Sequence, residues 1–105
     1  MSAIIYCPLP DEETAREISA KRLNEKLIAC SNILGSVESH FLWQGKFDQA
    51  EEVGVIFKTD ERLLERAIER LGALHPYEIP AIIGCRCDVS YPATAAWLGS
   101  LIPGD

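Results

Sequence analysis

The residues able to do the most chemistry are four cysteines, Cys7, Cys30, Cys85 and Cys87, and two histidines, His40 and His75. Thiolate and imidazole are the donors that copper and zinc accept. They also form the nucleophile and base of acyl-transfer enzymes. Cys85-Arg86-Cys87 is a C-x-C pair. On a strand, both of its thiols would share one face. No C-x-x-C occurs, and no glycine-rich phosphate loop or G-x-G-x-x-G, so nucleotide binding by those routes has no support. A hydrolase reading would use Cys7 as nucleophile, His75 as base and Glu78 as orienter. It meets an obstacle at Pro8, which has no N–H to offer an oxyanion. The aromatic residues Trp43, Tyr77, Tyr91 and Trp97 suit either a ligand pocket or the anchors of a core or interface. Lys46, Lys58, Glu51 and Glu52 read as a solvated, mutually neutralising set. His40 reads as structural.

Six main elements must position these groups. Ala3 to Cys7 is a short apolar run ended by Pro8 and Pro10, and it predicts a strand. Asp11 is a good N-cap, Glu12 and Glu13 follow in the first turn, and Ala15, Ile18, Arg22 or Leu23, and Leu27 recur at helical spacing. A helix over 11–26 is expected. Ala29 to Leu34 is strand-like, breaks at Gly35 and resumes from Val37 to Trp43. Gln44-Gly45-Lys46 and Asp48 carry turn chemistry and return the chain as a strand from Glu52 to Thr59. Asp60 caps a second helix, with an apolar stripe from Leu63 to Leu74, and Pro76 ends it at His75. Ile79 to Val89 is a strand, and Pro92 opens a short terminal helix.

The order β-α-β-β-α-β, plus a tail, is the α+β, ferredoxin-like split-βαβ arrangement within a single domain over 1–105. Right-handed crossovers order the strands 4-1-3-2, with the first two helices on one face. Cys7 and His75 then meet at one end of the sheet. They form a half-site for copper or zinc that needs further ligands from water, from Glu78 or from a neighbouring subunit. Cys30 lies on one outer strand and Cys85 and Cys87 on the other, about 14 Å apart across three strand spacings. That excludes one site built from all four thiols of a protomer. Several strands, such as Ala3-Ile4-Ile5-Tyr6 and Ala81-Ile82-Ile83, are apolar on both faces. Two helices cover only one face, so a further copy of the chain is expected on the other.

Sixteen acids against ten bases give a net charge of −6, which argues against nucleic-acid binding. No apolar run reaches the roughly 18 residues of a membrane span, and the N-terminus lacks the basic region of a signal peptide. Reduced thiols in the cytoplasm are the expectation.

Cys7-Pro8-Leu9-Pro10-Asp11-Glu12-Glu13-Thr14-Ala15, Lys26-Leu27-Ile28-Ala29-Cys30-Ser31-Asn32-Ile33, Trp43-Gln44-Gly45-Lys46, Glu51-Glu52-Val53, Lys58-Thr59 and His75-Pro76-Tyr77-Glu78-Ile79-Pro80 stand in an order that resembles the CutA divalent-cation tolerance family. Tyr91 and Trp97-Leu98 extend the likeness into the tail. The resemblance implies a ferredoxin-like homotrimer, shaped like the PII signalling trimers. It also implies tolerance to copper and other divalent metal ions; the residues themselves lead us to expect no catalysis and no obligatory cofactor. It carries copper ligation onto Cys7 and His75. Some members have a second His where this chain has Leu74, so one ligand is lost here. Cys30 corresponds to a cysteine in apolar surroundings, whereas Cys85 and Cys87 fall outside the family pattern. Two further readings stand beside metal binding. One is a PII-like small-ligand sensor with a cleft built around Trp43, Lys58, Tyr77 and Glu78. The other is a scaffold that docks a partner protein.

Overall fold

In a computed structural model, which describes residues 1–104, the chain runs β1 (Ser2–Leu9), α1 (Glu12–Asn24), β2 (Cys30–Trp43), β3 (Lys46–Asp60), α2 (Leu64–Leu74), β4 (Ile83–Cys87) and α3 (Pro92–Gly99). The four strands form one antiparallel sheet in the order β2-β3-β1-β4, the expected ferredoxin-like order. Alternation along β1 sends Ala3, Ile5, Cys7 and Leu9 to one face, where all four are fully buried. Val53, Val55 and Phe57 of β3 join them beneath Ala15 and Ile18 of α1 and Leu64, Ala67 and Leu71 of α2. Each large apolar side chain buried here contributes about 1.5–3 kcal/mol relative to exposure.

Several boundaries differ from the sequence expectation, each for a local reason. β1 does not stop at Cys7 but continues through Pro8 to Leu9. On the β3 side Pro8 stands opposite Gly54. On the β4 side pairing ends at Tyr6 opposite Ile83, so beyond that point β1 is an edge. A proline is tolerated where no neighbour requires its N–H. β2 is one strand rather than two. It absorbs Gly35 as a bulge, with φ at +99°, instead of breaking there. Gln44 and Gly45 both have positive φ, and Trp43 pairs with Lys46, so a two-residue turn of the I′ kind joins β2 to β3. β3 therefore starts at Lys46, earlier than the expected Glu52.

The Asp11 carboxylate accepts from the Thr14 N–H at 2.7 Å and caps α1. That helix ends at Asn24, and Lys26 turns left-handed with φ at 58°. Asp60 caps a short 3-10 turn, Glu61–Leu63, that feeds α2 rather than capping α2 itself. β4 is only Ile83–Cys87, shorter than the expected Ile79 to Val89, because the segment after Pro80 joins the ladder only at Ile83.

The second sheet face has its own partial cover. α3 packs across β3 and β1, burying Leu98, and the Ser90 hydroxyl meets the Ser2 hydroxyl at 3.0 Å. Tyr6, Ile83 and Trp97 remain exposed.

Candidate functional site

The early end of pairing between β1 and β4 creates the site. In a strand, the N–H and C=O of one residue point the same way. Pro8 therefore aims its carbonyl at the gap that β4 leaves. His75 fills that gap: its Nε2 lies 2.9 Å from Pro8 O. A carbonyl only accepts, so Nε2 carries the proton. Nδ1 then holds its lone pair and accepts the Tyr77 N–H at 3.2 Å. Helix α2 stops at Leu74, and His75 turns extended, with φ −71° and ψ 136°, which swings the ring over β1. The Cys7 thiol donates to the same Pro8 carbonyl at 3.7 Å. Burial, then the charge of Glu52, pushes that thiol up to about 12.

Cys7 and His75 thus meet around one backbone oxygen, each already engaged, and both are buried. Glu78 is exposed. Among the described residues, no group of three or more His, Cys, Asp or Glu side chains is arranged to hold a metal ion.

Beside this pair lies a cavity of about 320 Å³ lined by Phe41, Trp43, Ala50, Glu52, Tyr77, Glu78 and Ile79. The His75 and Tyr77 rings stack obliquely with centroids 4.6 Å apart, which ties the cavity wall to the Cys7–His75 pair. Burial, and then a hydrogen bond to Glu52, pushes the Tyr77 phenol up to about 12. The lining carries two carboxylates and three aromatic rings, with no cationic side chain. Such a wall favours a ligand with an apolar body and a positive end.

The structure brings Trp43, Tyr77 and Glu78 together but not Lys58. Lys58 stands opposite Cys30 and Ile4, six residues along β3 from Glu52, or about 20 Å. Within one protomer it therefore lies outside the cleft. Tyr91 and Trp97 do not line it either. Glu52, expected to be solvated, is buried at 8% exposure. Its neighbours Phe41 and Ile79 were not singled out from sequence. The signal available was alternation: Trp43, Phe41 and Glu52 fall on one face once the hairpin register is fixed. The remaining cysteines are dispersed. Cys30 and Cys85 lie on opposite outer strands of the sheet, and Cys7 is buried among the helices, so one four-thiol site is excluded. His40 is exposed and pairs with Glu38 at 2.7 Å, away from the cleft.

The family described as CutA1 divalent ion tolerance protein matches residues 3–100. The chain belongs to the CutA family. Its curated relatives include the divalent-cation tolerance protein CutA of Pyrococcus horikoshii, 45% identical over 82% of this chain and 81% of that one. Among solved structures, CutA from Xylella fastidiosa superposes with a TM-score of 0.90 at 34% identity, covering 96% of this chain and 97% of that one. The protein from Archaeoglobus fulgidus described as a periplasmic divalent cation tolerance protein CutA gives 0.89 at 30% identity, covering 96% and 98%. These CutA relatives are named as tolerance proteins rather than enzymes. Among the described residues, no helix is long and apolar enough to cross a membrane.

Proposed function

We propose that this CutA chain acts as a cytoplasmic homotrimer that binds copper or another divalent metal ion, supports tolerance to such ions, and catalyses no reaction. The observation that carries the metal reading is the convergence of the Cys7 thiol and the His75 imidazole on the Pro8 carbonyl at the end of β1. A metal ion bound there takes the Cys7 sulfur as thiolate and one nitrogen of His75, displacing the hydrogen bond that nitrogen now makes. Water, Glu78 or a neighbouring subunit completes the coordination. The trimer is supported by the apolar groups left open on one protomer, including Leu42, Phe47 and Ile83 at 69%, 84% and 71% exposure. Four free thiols suit a reducing compartment.

The test is titration of the reduced protein with Cu(II) and Zn(II), and anaerobically with Cu(I), beside Cys7→Ser and His75→Ala. Saturable binding that both substitutions abolish supports the reading. Weak, non-saturating binding unchanged by either substitution overturns it and leaves only diffuse attraction to the acidic surface.

A second reading rests on the aromatic cavity. A PII-like trimer would use it to bind a small cationic ligand, with Glu52 and Glu78 meeting the charge. Such a ligand raises the melting temperature in proportion to its occupancy of the native state. The rise should survive Cys7→Ser and vanish with Trp43→Ala. A rise that survives Trp43→Ala would rule this cavity out.

A further inference from the structure

Arg22 of α1 is fully buried, an unusual place for a guanidinium group. Its Nη1 donates to the Arg70 carbonyl at 3.1 Å and its Nη2 to Glu25 Oε2 at 2.9 Å. Its Nε has no acceptor among the described residues. Buried N–H groups are nearly always paired, so an unpaired one needs an explanation. Nε–H and one N–H of Nη2 share an edge of the guanidinium, so the unpaired donor opens beside the Glu25 carboxylate. Glu25, Leu27, Arg66 and Arg70 line a cavity of about 440 Å³ next to this group, a size within the range of small-molecule sites. Arg66 and Arg70 stand four residues apart on α2 and share a face. Arg70 Nη2 donates to the same Glu25 Oε2 at 2.9 Å, so one carboxylate oxygen holds two guanidinium groups. The Arg70 hydrogen bond, and then the charge of Arg22, outweigh burial and hold the Glu25 carboxyl below its ordinary range. Arg66 makes no ion pair among the described residues. Glu69 also acts on Arg70 but does not line the cavity. Three arginines against Glu25 make this cleft positive in a chain whose net charge is −6.

The donor set selects the ligand. A carboxylate has two oxygens in one plane, and Glu25 shows how far it reaches here. It engages Arg22 and Arg70 but leaves Arg66 and the Arg22 Nε without a partner. A phosphate group offers three terminal oxygens in a tetrahedral arrangement and close to two negative charges, so it can meet guanidinium forks that approach from several sides. Glu25 is placed to give way. Its side chain is 32% exposed, and it stands just past the last residue of α1, before the left-handed Lys26.

We propose that the cleft between α1 and α2 binds the phosphate group of a small molecule through Arg22, Arg66 and Arg70, and that Glu25 holds Arg22 and Arg70 in place until the phosphate displaces it. The site uses neither Cys7 nor His75 and does not depend on metal binding. It lies on the helix side of the sheet. A Cβ on Gly84 would meet Leu64 and Ile68 of α2, so Ile83 beside it faces the other way. The cleft is also at the opposite end of β2 from Leu42. It is therefore apart from the groups that the proposed trimer covers.

The experiment melts the reduced full chain, in its native assembly, in a buffer without phosphate. Inorganic phosphate, glycerol 3-phosphate and malonate are each titrated in, with chloride at matched ionic strength as the reference. Wild type, Glu25→Gln, Arg66→Gln, Arg70→Gln and Arg22→Lys are compared, and melting without added anion confirms that each is folded. The expected result is a saturable rise in melting temperature with both phosphates, smaller with malonate and absent with chloride. Arg66→Gln and Arg70→Gln should weaken the apparent Kd about tenfold or more, the scale of one charge-assisted hydrogen bond. Arg22→Lys keeps the charge but loses the paired edge, and should weaken it too. The exposed Arg66→Gln and Arg70→Gln decide the outcome if Arg22→Lys fails to fold. Glu25→Gln should tighten binding. A rise that does not saturate, or that is the same in wild type and the arginine variants, is a general salt effect and overturns the proposal. Binding of inorganic phosphate without glycerol 3-phosphate overturns a small-molecule ligand, and tighter binding of malonate overturns the assignment to phosphate. Equal or weaker phosphate binding in Glu25→Gln overturns the displacement.

Discussion

Asp60 shows how one side chain couples local structure to stability. Its carboxylate accepts from the Arg62 Nε at 2.8 Å and from the Arg62 backbone N–H at 2.9 Å, while only 2% of the residue is exposed. The Arg62 side chain holds Asp60 down to about 2, against an ordinary carboxylate value near 3.9. The folded value lies below the unfolded one, so the stabilisation is complete above about pH 4 and is lost as pH falls through about 2. It amounts to about 2 kcal/mol. Asp60→Asn keeps a capping oxygen but loses the charge. It should lower stability at neutral pH and flatten the acid limb of the stability curve, as urea melts between about pH 2 and pH 5 would measure. An acid limb of unchanged slope in the variant would refute this role. His75 works on the same scale by different means: it satisfies a carbonyl that the sheet leaves open, which commits both ring nitrogens to backbone groups.

At the scale of elements, the short β4 organises the candidate site. It leaves the end of β1 unpaired, and that gap admits the His75 ring. What seats β4 under α2 is Gly84. A Cβ there meets the methyl ends of Leu64 and Ile68 at 2.8 Å and the Ile4 carbonyl at 3.4 Å. The methyl ends can yield; the carbonyl can yield less. Gly84→Ala should therefore cost about 1 kcal/mol, and Gly84→Val up to about 3 kcal/mol, as overpacking does. For a domain of this size, 1 kcal/mol lowers the melting temperature by roughly 4–8 °C. Calorimetry of both variants checks the order. Equal melting temperatures for the two would mean that α2 does not press on β4 at this point.

The whole molecule is elongated. It measures 47 × 26 × 22 Å and its radius of gyration is 14.4 Å, against about 13 Å for an ordinary domain of this length. The excess comes from the β2–β3 hairpin, whose far half carries Leu42 and Phe47 with little cover. A protruding two-stranded ribbon is marginal by itself in water and gains stability by packing against something. In the proposed trimer that partner is a neighbouring copy. The double substitution Leu42→Asp and Phe47→Asp should shift sedimentation from three chain masses toward one, while the melting of the protomer core changes little. A double variant that still sediments as a trimer would assign the contact to another surface, such as the face carrying Tyr6 and Ile83.

The sequence by itself determined the family, the element order and the sheet order. The two orders follow from local periodicity, caps and turn residues, together with the handedness of crossovers, and the family from the resemblance its motifs carry; none of this needs coordinates. It also brought Cys7 and His75 to the same end of the sheet, since strand order alone dictates that neighbourhood. Tertiary structure decided what those residues touch. That Pro8 continues a strand, that Glu52 is buried beside Tyr77, and that Lys58 lies well along β3 from the cleft all depend on where pairing between β1 and β4 stops and on the register across the hairpin. Register moves each side chain to one face or the other at a single-residue shift, and burial depends on neighbours distant in sequence. Periodicity therefore foretold which elements form, while the hydrogen bonds of His75 and the carboxylates of the cleft became legible only once those elements were packed.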